Sequence, residues 1–233
     1  MRKLIKSLLK KTNWRLKKIY RNKSYTNEIP KKELLDAMLA CNGIIHMGAH
    51  RGGEAPIYDW FNKKTIWIEA NPEIMDDLND NLAQYINQKS FQALLSDKDN
   101  NLENFNISSN DSASSSIFTF GDYGGIHNKI KMIKTKQIKT CRLDTLIRKN
   151  NIEIDDYNFW VIDLQGSELL ALQGAGALLQ KCKFMLIEIS KENIYQGGVS
   201  WKILNDFLIN NNFYPAWKTE KVHTDVLYIR KQN

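Results

Sequence analysis

The sequence predicts an α/β protein with a doubly wound, mainly parallel β-sheet, and three observations indicate this. Short apolar segments alternate with segments of helical periodicity along most of the chain, which is typical of parallel sheets. Several apolar segments end in glycine or a polar residue, as expected where ligands bind at the carboxyl ends of parallel strands. The last two apolar segments follow each other without a helix between them, which predicts a terminal antiparallel pair.

The composition suits one such domain. A chain of 233 residues can bury a substantial core, and no segment approaches 18 uninterrupted apolar residues, so a transmembrane helix is not expected. The three cysteines, Cys41, Cys141 and Cys182, are far apart and form no Cys-x-x-Cys pair. This pattern predicts a reducing compartment and no structural zinc.

The positive charge of the chain is concentrated at its start. Residues 1–23 contain ten Lys or Arg and no acid, whereas residues 24–233 hold 23 basic and 26 acidic residues, a net charge of −3. Apolar residues at helical spacing predict a basic amphipathic helix over residues 1–23, followed by a linker over residues 24–30 and the domain over residues 31–233. The helix is interpreted as docking on an anionic membrane surface, packing on the domain, or binding RNA non-specifically. The slightly acidic body argues against a specific nucleic-acid partner.

From residue 31 to residue 95 the pattern alternates helix and strand. Helical spacing predicts helices over residues 31–40, 54–61 and 72–87, and buried apolar runs predict strands over residues 43–47, 65–68 and 91–95. Pro56 is tolerated in the second helix because it falls in the first turn. Asn71 and Pro72 are a typical N-cap and first residue for the third helix.

Residues 99–135 interrupt this alternation. They contain a polar strand candidate over residues 102–107, an Asn- and Ser-rich run over residues 110–116, and then Gly121, Gly124 and Gly125. The segment is too long for a tight connection, which predicts a functional loop or lid.

The rest of the chain resumes the alternation. Strands are predicted over residues 137–142, 159–164, 184–189, 213–217 and 226–230, and helices over residues 143–149, 167–179 and 201–210. Asp163 stands near the end of the most apolar strand. Together with Gly48, Glu69 and Asp97 it lies at a strand end, so these residues are expected to meet at one edge of the sheet.

Residues 44–71 are the most informative stretch. A strand, a glycine turn and a helix N-terminus form a nucleotide cradle, and Glu69, about 20 residues past the turn, suits a ribose diol. His50 occupies the place of the second glycine in a dinucleotide fingerprint and would obstruct a pyrophosphate. No Gly-Lys-Ser/Thr follows, which excludes a P-loop. S-adenosylmethionine fits, with its ribose on Glu69, its adenine near Ser96 and Asp97, and its methionine tail across Gly48.

Five segments, in this order, resemble the FkbM family of methyltransferases over about residues 43–190. They are Met47-Gly48-Ala49-His50-Arg51-Gly52, Ile68-Glu69-Ala70-Asn71-Pro72, Ser114-Ser115-Ser116, Arg142-Leu143-Asp144, and Val161-Ile162-Asp163-Leu164-Gln165-Gly166-Ser167-Glu168-Leu169. The resemblance implies a class I methyltransferase (Rossmann-like) fold with a seven-stranded sheet and a terminal antiparallel strand. It also implies S-adenosylmethionine as cofactor and O-methylation, commonly of sugar hydroxyls in glycans or secondary metabolites.

The sequence departs from this family at two positions. His46 stands where the family usually has an acid at the end of the first strand, which concerns how the cofactor's ammonium group is held. Gln165 replaces the glutamate of an Asp-x-Glu-Gly motif, which removes one candidate base or metal ligand.

The glycine turn, the strand ends and the serine run supply the expected cofactor contacts. These are His46, Gly48, Ala49, His50, Arg51, Gly52, Glu54, Glu69, Ala70, Asn71, Ser96, Asp97, Ser114, Ser115, Asp163 and Gln165. Some of them have a structural alternative: Glu69 as a cap or ion-pair partner, Asp97 as an ordinary turn residue, the serines as a flexible loop, and His46 as a core or pocket-edge histidine.

Asp163 is the candidate base, or the residue that orients the acceptor hydroxyl; its alternative role is to cap the helix near Gly166. His127, in the Gly-rich insert, and His50 are rival bases. Ser116, Gln165, Glu188 and Tyr195 are the candidate substrate contacts, and no metal is predicted.

The sequence thus predicts a cytoplasmic, S-adenosylmethionine-dependent O-methyltransferase that modifies a sugar hydroxyl of a glycan or glycolipid, with the N-terminal helix holding it at the cytoplasmic membrane face. One alternative is an O-methyltransferase for a small secondary metabolite. Another is a non-catalytic nucleotide-binding or RNA-associated protein of the same fold.

Overall fold

The structure is a computed structural model that describes residues 31–121, 129–192 and 194–231. The expected N-terminal helix over residues 1–23, the linker over residues 24–30 and His127 lie outside the described residues. The described helices are α1 (Lys32–Ala40), α2 (Ala55–Trp60), α3 (Met75–Leu82), α4 (Leu143–Lys149), α5 (Glu168–Ala175) and α6 (Trp201–Asn210). Short 3₁₀ segments cover Pro72–Ile74, Ile154–Asp156 and Gly176–Lys181.

A seven-stranded sheet forms the centre of the described residues, in the order β11-β12-β9-β8-β1-β2-β3. These strands are β1 (Gly43–Met47), β2 (Lys64–Glu69), β3 (Gln88–Gln92), β8 (Phe159–Ile162), β9 (Phe184–Ser190), β11 (Phe213–Pro215) and β12 (His223–Arg230). Every neighbouring pair is parallel except those made by β12, which is antiparallel to both β9 and β11. This confirms the doubly wound sheet with a terminal antiparallel strand.

Helices cover both faces of the sheet, because side chains along each central strand alternate between two cores. In β1, Ile44 packs with α1, α2 and α3, whereas Ile45 and Met47 pack with α4, α5 and α6. The chain runs from β1 towards β2 and β3, and later returns to place β8 on the other side of β1. The strand order therefore reverses between β1 and β8, where open α/β sheets bind their ligands.

The segment over residues 99–135, predicted as a loop or lid, contains more regular structure than expected. β5 (Leu102–Ser108) pairs antiparallel with β7 (Met132–Cys141), and β4 (Leu94–Leu95) pairs with the end of β7. A two-stranded pair, β6 (Thr119–Phe120) with β10 (Tyr195–Gln196), lies beside them. The polar strand over residues 102–107 is confirmed, and β7 begins five residues earlier than predicted.

Two predictions around β3 are wrong. The helix expected over residues 72–87 ends at Leu82, and β3 begins at Gln88. Gln88 is buried, accepts a hydrogen bond from Trp67 Nε1 at 2.8 Å and donates one to the Ala55 carbonyl at 2.9 Å. These long-range contacts stabilise a polar residue in a strand. The apolar run over residues 91–95 is divided between two sheets, because the chain turns at Ala93, whose N–H donates to the Glu69 carbonyl.

The helix predicted over residues 167–179 is also too long, since α5 ends at Ala175. Gly176 has a φ of +54°, a left-handed conformation that ends the α-helix. Gly174 allows close packing here, because a Cβ atom on it would lie 2.0 Å from the Ser96 carbonyl oxygen. The strand predicted over residues 159–164 likewise ends early, at Ile162, so that Asp163 begins a turn.

Candidate active site

A cavity of about 820 Å³ lies at the carboxyl ends of β1, β2 and β8. Its volume is within the range of about 300–1,000 Å³ typical of small-molecule sites. One wall is polar and belongs to the glycine turn and the residues after β8; the other is apolar. The residues that line the cavity include His46, Gly48, His50, Glu69, Leu94, Phe105, Asp111, Ser116, Asp163 and Gln165.

The glycine turn brings β1 and β8 together at the floor of this cavity. Gly48 has a φ of +88°, and a Cβ atom on it would lie 1.8 Å from the Asp163 carbonyl oxygen. The backbone N–H groups of Gly48 and Ala49 both donate to the Ile68 carbonyl, at 2.9 and 3.0 Å. Only glycine fits this position, because any side chain would push the end of β8 away from β1.

Glu69 is fixed by the backbone on both sides. Its Oε2 accepts from the N–H of His50 at 2.7 Å, and its Oε1 accepts from the N–H of Asn71 at 2.7 Å. The carboxyl is buried, and burial raises its pKa. Each oxygen keeps a second lone pair, which can accept from a ligand hydroxyl.

Asn71 is buried two residues after Glu69. Its Oδ1 caps the following 3₁₀ turn by accepting from the N–H of Glu73, as predicted for an N-cap. Its Nδ2 has no hydrogen-bond partner among the described residues, and such an atom is costly to leave unpaired.

His50 and Arg51 connect the glycine turn to the Ser- and Asn-rich loop. His50 Nε2 hydrogen-bonds the Asp111 carbonyl at 2.7 Å, and Arg51 forms ion pairs with Asp77 and Asp111, each at 2.7 Å. Asp111 and Ser112 both have left-handed φ values, of +61° and +67°. The loop is therefore held over the cavity mouth in a definite conformation.

Within that loop the serines differ in role. Ser114 Oγ accepts a hydrogen bond from Asn110 Nδ2 and does not line the cavity. Ser115 and Ser116 do line it. Ser116 Oγ donates to the Gln165 carbonyl at 2.8 Å, which ties the loop to the turn after β8.

Asp163 is the centre of a hydrogen-bonded group on the polar wall. The Gln165 amide Nε2 donates both to Asp163 Oδ1 and to Glu188 Oε2, the latter at 2.9 Å. Tyr195 donates its hydroxyl hydrogen to Gln165 Oε1. Burial and the neighbouring Glu188 carboxyl raise the pKa of Asp163 well above its usual range.

The turn that carries Asp163 and Gln165 is held by Glu168, a residue that the sequence analysis did not assign to the site. Glu168 Oε1 accepts from the N–H groups of Leu164 and Gly166, at 3.1 and 3.0 Å. Gln165 between them has a φ of +54°, which is unusual for a residue with a side chain. Burial raises the pKa of Glu168 to about 7.

His46 is a buried residue at the cavity edge. Its ring stacks on Trp67 with 4.6 Å between centroids, and its Nδ1 hydrogen-bonds the Tyr58 hydroxyl at 3.1 Å. Burial lowers its pKa, so the imidazole is neutral at physiological pH.

Ser96 and Asp97 lie outside the cavity lining. Arg142 Nη1 donates to the Asp97 carbonyl at 3.0 Å, and the Ser96 N–H donates to the Cys141 carbonyl at 3.0 Å. The wall expected to carry them is instead formed by Leu94, Leu95 and Phe105. Sequence reasoning missed these residues because apolar side chains in short strands indicate core before they indicate a ligand site.

The other predicted cofactor residues divide into two groups. Ala49, Glu54 and Ala70 line the cavity; Arg51, Gly52, Asn71 and Ser114 do not, although each is close in the chain to residues that do. Of the predicted substrate contacts, Ser116 and Gln165 face this cavity, and Glu188 and Tyr195 line a small adjoining cleft.

The described residues contain neither a cluster suited to a metal ion nor a helix suited to crossing a membrane. No group of three or more His, Cys, Asp or Glu side chains in this part of the chain is arranged to hold a metal ion. No helix among these residues has the length and apolar character needed to cross a membrane.

The chain is similar to several solved structures of methyltransferases. Among solved structures, a TehB-like SAM-dependent methyltransferase from Corynebacterium glutamicum is 11% identical, with 97% of this chain and 99% of that chain covered and a TM-score of 0.48. A SAM-dependent methyltransferase from Aquifex aeolicus is 10% identical, with 85% and 88% covered and a TM-score of 0.46. Magnesium protoporphyrin IX methyltransferase from Synechocystis, with bound SAM, is 10% identical, with 93% and 90% covered and a TM-score of 0.46. No curated protein matches the chain.

The family described as methyltransferase FkbM domain matches residues 46–215, which is most of the chain and includes every residue that lines the cavity. This confirms the resemblance found in the sequence, the enzyme class and the cofactor. The chain belongs to the FkbM-domain methyltransferases and uses S-adenosylmethionine as methyl donor.

Proposed function

We propose that this protein methylates a hydroxyl oxygen of a carbohydrate acceptor, a sugar of a glycan or glycolipid. One observation carries the proposal: the Asp163 carboxyl lies on the polar wall of the cavity and is linked through Gln165 to a second carboxyl, Glu188. A hydroxyl acceptor needs such a group, because it must lose its proton during methyl transfer.

The residues present fit the cofactor. Glu69, anchored by two backbone N–H groups, would accept from the ribose hydroxyls, and the apolar wall of Leu94 and Phe105 would hold the adenine. The backbone of Gly48 and the side chain of His50 would border the methionine part. When bound, S-adenosylmethionine supplies a methyl group already activated on a sulfonium sulfur.

The task left to the protein is to position the acceptor and take its proton. A sugar hydroxyl is a poor nucleophile at neutral pH, and a positioned base contributes about 10²–10⁴-fold to the rate. Burial and the neighbouring Glu188 raise the pKa of Asp163, which makes its carboxylate a stronger base for this proton. Ser116, Gln165 and Tyr195 offer hydroxyl and amide groups next to it for binding the acceptor.

The proposal includes a peripheral contact with the cytoplasmic face of a membrane. Residues 1–23 carry ten basic residues and no acid, and each basic residue near an anionic surface contributes about 1 kcal/mol to binding. A membrane-associated enzyme would meet a lipid-linked sugar acceptor directly.

The first experiment measures methyl transfer from radiolabelled S-adenosylmethionine to methyl glycosides and nucleotide sugars, with phenolic metabolites as the competing acceptor class. We expect a glycoside product that carries one new methyl ether, identified by mass spectrometry. Transfer to phenols alone, or to none of these acceptors, would contradict carbohydrate O-methylation.

Cofactor binding is tested separately by calorimetry with the Glu69→Gln variant. In this variant, an amide NH₂ would face a backbone N–H that in the wild type donates to the Glu69 carboxylate. We therefore expect S-adenosylmethionine affinity to fall about 10- to 100-fold. Glu153→Gln, at an exposed glutamate away from the cavity, is the matched control and should bind like the wild type. Equal affinity in the two variants would remove Glu69 from the binding site.

A further inference from the structure

A second cleft adjoins the main cavity behind Gln165 and Tyr195. Its volume is about 30 Å³, enough for about two water molecules, and its lining includes Glu188, Tyr195 and His223. β9 and β12 form one wall, because His223 is paired in register with Ser190 at the end of β9. The cleft therefore lies at the same edge of the sheet as the cavity.

Glu188 connects the cavity to this cleft, since its two oxygens have partners on opposite sides. Oε2 accepts from the Gln165 amide at 2.9 Å, and Oε1 lies 3.0 Å from His223 Nε2. Asp163 accepts from the same Gln165 nitrogen, so one amide holds the two carboxyl groups close together. The Glu188 carboxyl raises the pKa of Asp163, because two neighbouring carboxyl groups resist ionising together and such a pair retains one proton.

Exposure to solvent increases from Glu188 to His223. The Glu188 side chain is 18% exposed, and the His223 side chain is 42% exposed. A proton that reaches Asp163 from an acceptor hydroxyl must leave before the next turnover, and these contacts lead from Asp163 to an imidazole in contact with water.

We propose that His223 is the outlet for the proton released by methyl transfer, receiving it from the Asp163–Glu188 carboxyl pair and delivering it to solvent. This proposal rests on the proposed function, because transfer to a hydroxyl releases a proton that has to leave the site.

The proton balance is as follows. Asp163 takes the proton of the acceptor hydroxyl while that oxygen forms its bond to the methyl carbon and the bond from sulfur to that carbon breaks. The proton that the pair already shares leaves Glu188 for Nε2 of His223. The imidazolium then loses one proton to water, so the carboxyl pair begins and ends each turnover with a single proton.

Histidine suits this position because an imidazole ring can both accept and release a proton. The elements packed around it carry both signs of charge. The titratable and charged groups on these elements are Glu168, Glu188, Lys191, Glu192, Tyr195 and Asp225.

The activity test compares the wild type with His223→Gln, using whichever methyl glycoside the wild-type protein methylates. Glutamine keeps a donor for Glu188 but does not titrate. In dilute buffer we expect kcat to fall about a hundredfold with unchanged S-adenosylmethionine affinity, and added imidazole to restore most of the rate. Lys202→Gln, on the exposed face of α6, is the control and should behave like the wild type.

A wild-type kcat in dilute buffer, or a loss that imidazole does not reverse, would overturn the proposal, because a merely structural histidine is not rescued by a soluble base.

A second measurement needs no acceptor and so separates this proposal from the proposed function. In nitrogen NMR of the histidine-labelled full chain, the His223 signals are those that disappear in His223→Gln. An imidazole that shares protons with a carboxyl pair titrates in two steps, and Glu188→Gln should leave one. A single step in the wild type that Glu188→Gln does not shift would overturn the proposal even if no glycoside were methylated.

Discussion

The Asp163 carboxyl is partly buried and lies beside a second carboxyl, and this placement lowers stability at neutral pH. Because its pKa is raised in the folded state, the folded protein holds a proton that the unfolded chain releases above its ordinary value of 3.8. The resulting contribution to stability is complete below that value and is lost as the pH rises through the raised pKa. The group that serves catalysis is therefore also a source of instability.

We expect Asp163→Asn to separate these two effects. The amide still accepts from Gln165 but takes no proton, so activity should fall by about 10²–10⁴-fold. Since the amide carries no charge to bury, the variant should unfold at a higher temperature than the wild type at about pH 8 and at a similar one near pH 4. Thermal unfolding across this range checks the prediction; wild-type activity, or lower stability at the higher pH, would contradict it.

Glu168 also makes the protein less stable as the pH rises, because its pKa in the folded state is raised from 4.5 to about 7. Its contribution is complete below pH 4.5 and is lost as the pH rises through about 7. We expect Glu168→Gln, which still accepts from the Leu164 and Gly166 N–H groups, to weaken this pH dependence in denaturant unfolding.

Glu168→Ala is the companion variant, because it leaves those two N–H groups without their acceptor. It should be about 1–3 kcal/mol less stable than the glutamine variant at every pH, because neither side chain titrates. If the glutamine and alanine variants were equally stable, the two hydrogen bonds would not be what holds the turn.

At the scale of elements, the junction of β1 and β8 depends on one glycine. A Cβ atom at Gly48 would overlap the Asp163 carbonyl oxygen, and its φ of +88° disfavours any side chain. We expect Gly48→Ala to lose about 3 kcal/mol or more of stability, and S-adenosylmethionine binding with it.

Gly53→Ala is the matched control in the same turn, because a Cβ atom there meets nothing within 4 Å. Its unfolding free energy should stay close to that of the wild type. Equal losses in the two alanine variants would show that the turn tolerates no substitution at all, rather than that β8 approaches Gly48.

Elements with a strong local pattern were predicted well, and those shaped by distant contacts were not. β1, α4 and α6 have the predicted bounds, because their apolar spacing and caps are local. β3 was misplaced because Gln88 is stabilised by Trp67 and Ala55, residues far from it in the chain. α5 is shorter than predicted because Gly176, with a φ of +54°, ends the helix where the apolar pattern continues.

At the scale of the whole molecule, charge is distributed unevenly along the chain, and the described fold gives this distribution no role. The body carries a net charge of −3 and the first 23 residues a charge of +10. We expect full-length protein to sediment with vesicles containing phosphatidylglycerol, and added salt to weaken this binding.

Replacing Lys3, Lys6 and Lys10 by glutamine should reduce vesicle binding about a hundredfold, at about 1 kcal/mol for each charge. The control replaces the exposed lysines Lys139, Lys149 and Lys202 in the same way, which changes the net charge equally. If both triple variants lost binding equally, net charge rather than the N-terminal segment would be responsible.

The sequence by itself determined the fold class, the cradle and the identity of the family. Three local patterns carry this information: the apolar periodicity, the glycine turn and the position of Glu69 at the end of the second strand. They can be identified from the sequence because a few neighbouring residues specify each strand end. The sequence alone therefore places Gly48, Glu69 and Asp163 at one edge of the sheet.

Only the tertiary structure decided which side chains meet there. It replaced Ser96 and Asp97 by Leu94 and Phe105 in the cavity wall, and it placed Glu188 between Gln165 and His223. These contacts join residues that are far apart in the chain, and the contact of Glu188 with His223 depends on the pairing of β9 with β12. That pairing has no local signal in the sequence, because other elements lie between the two strands in the chain.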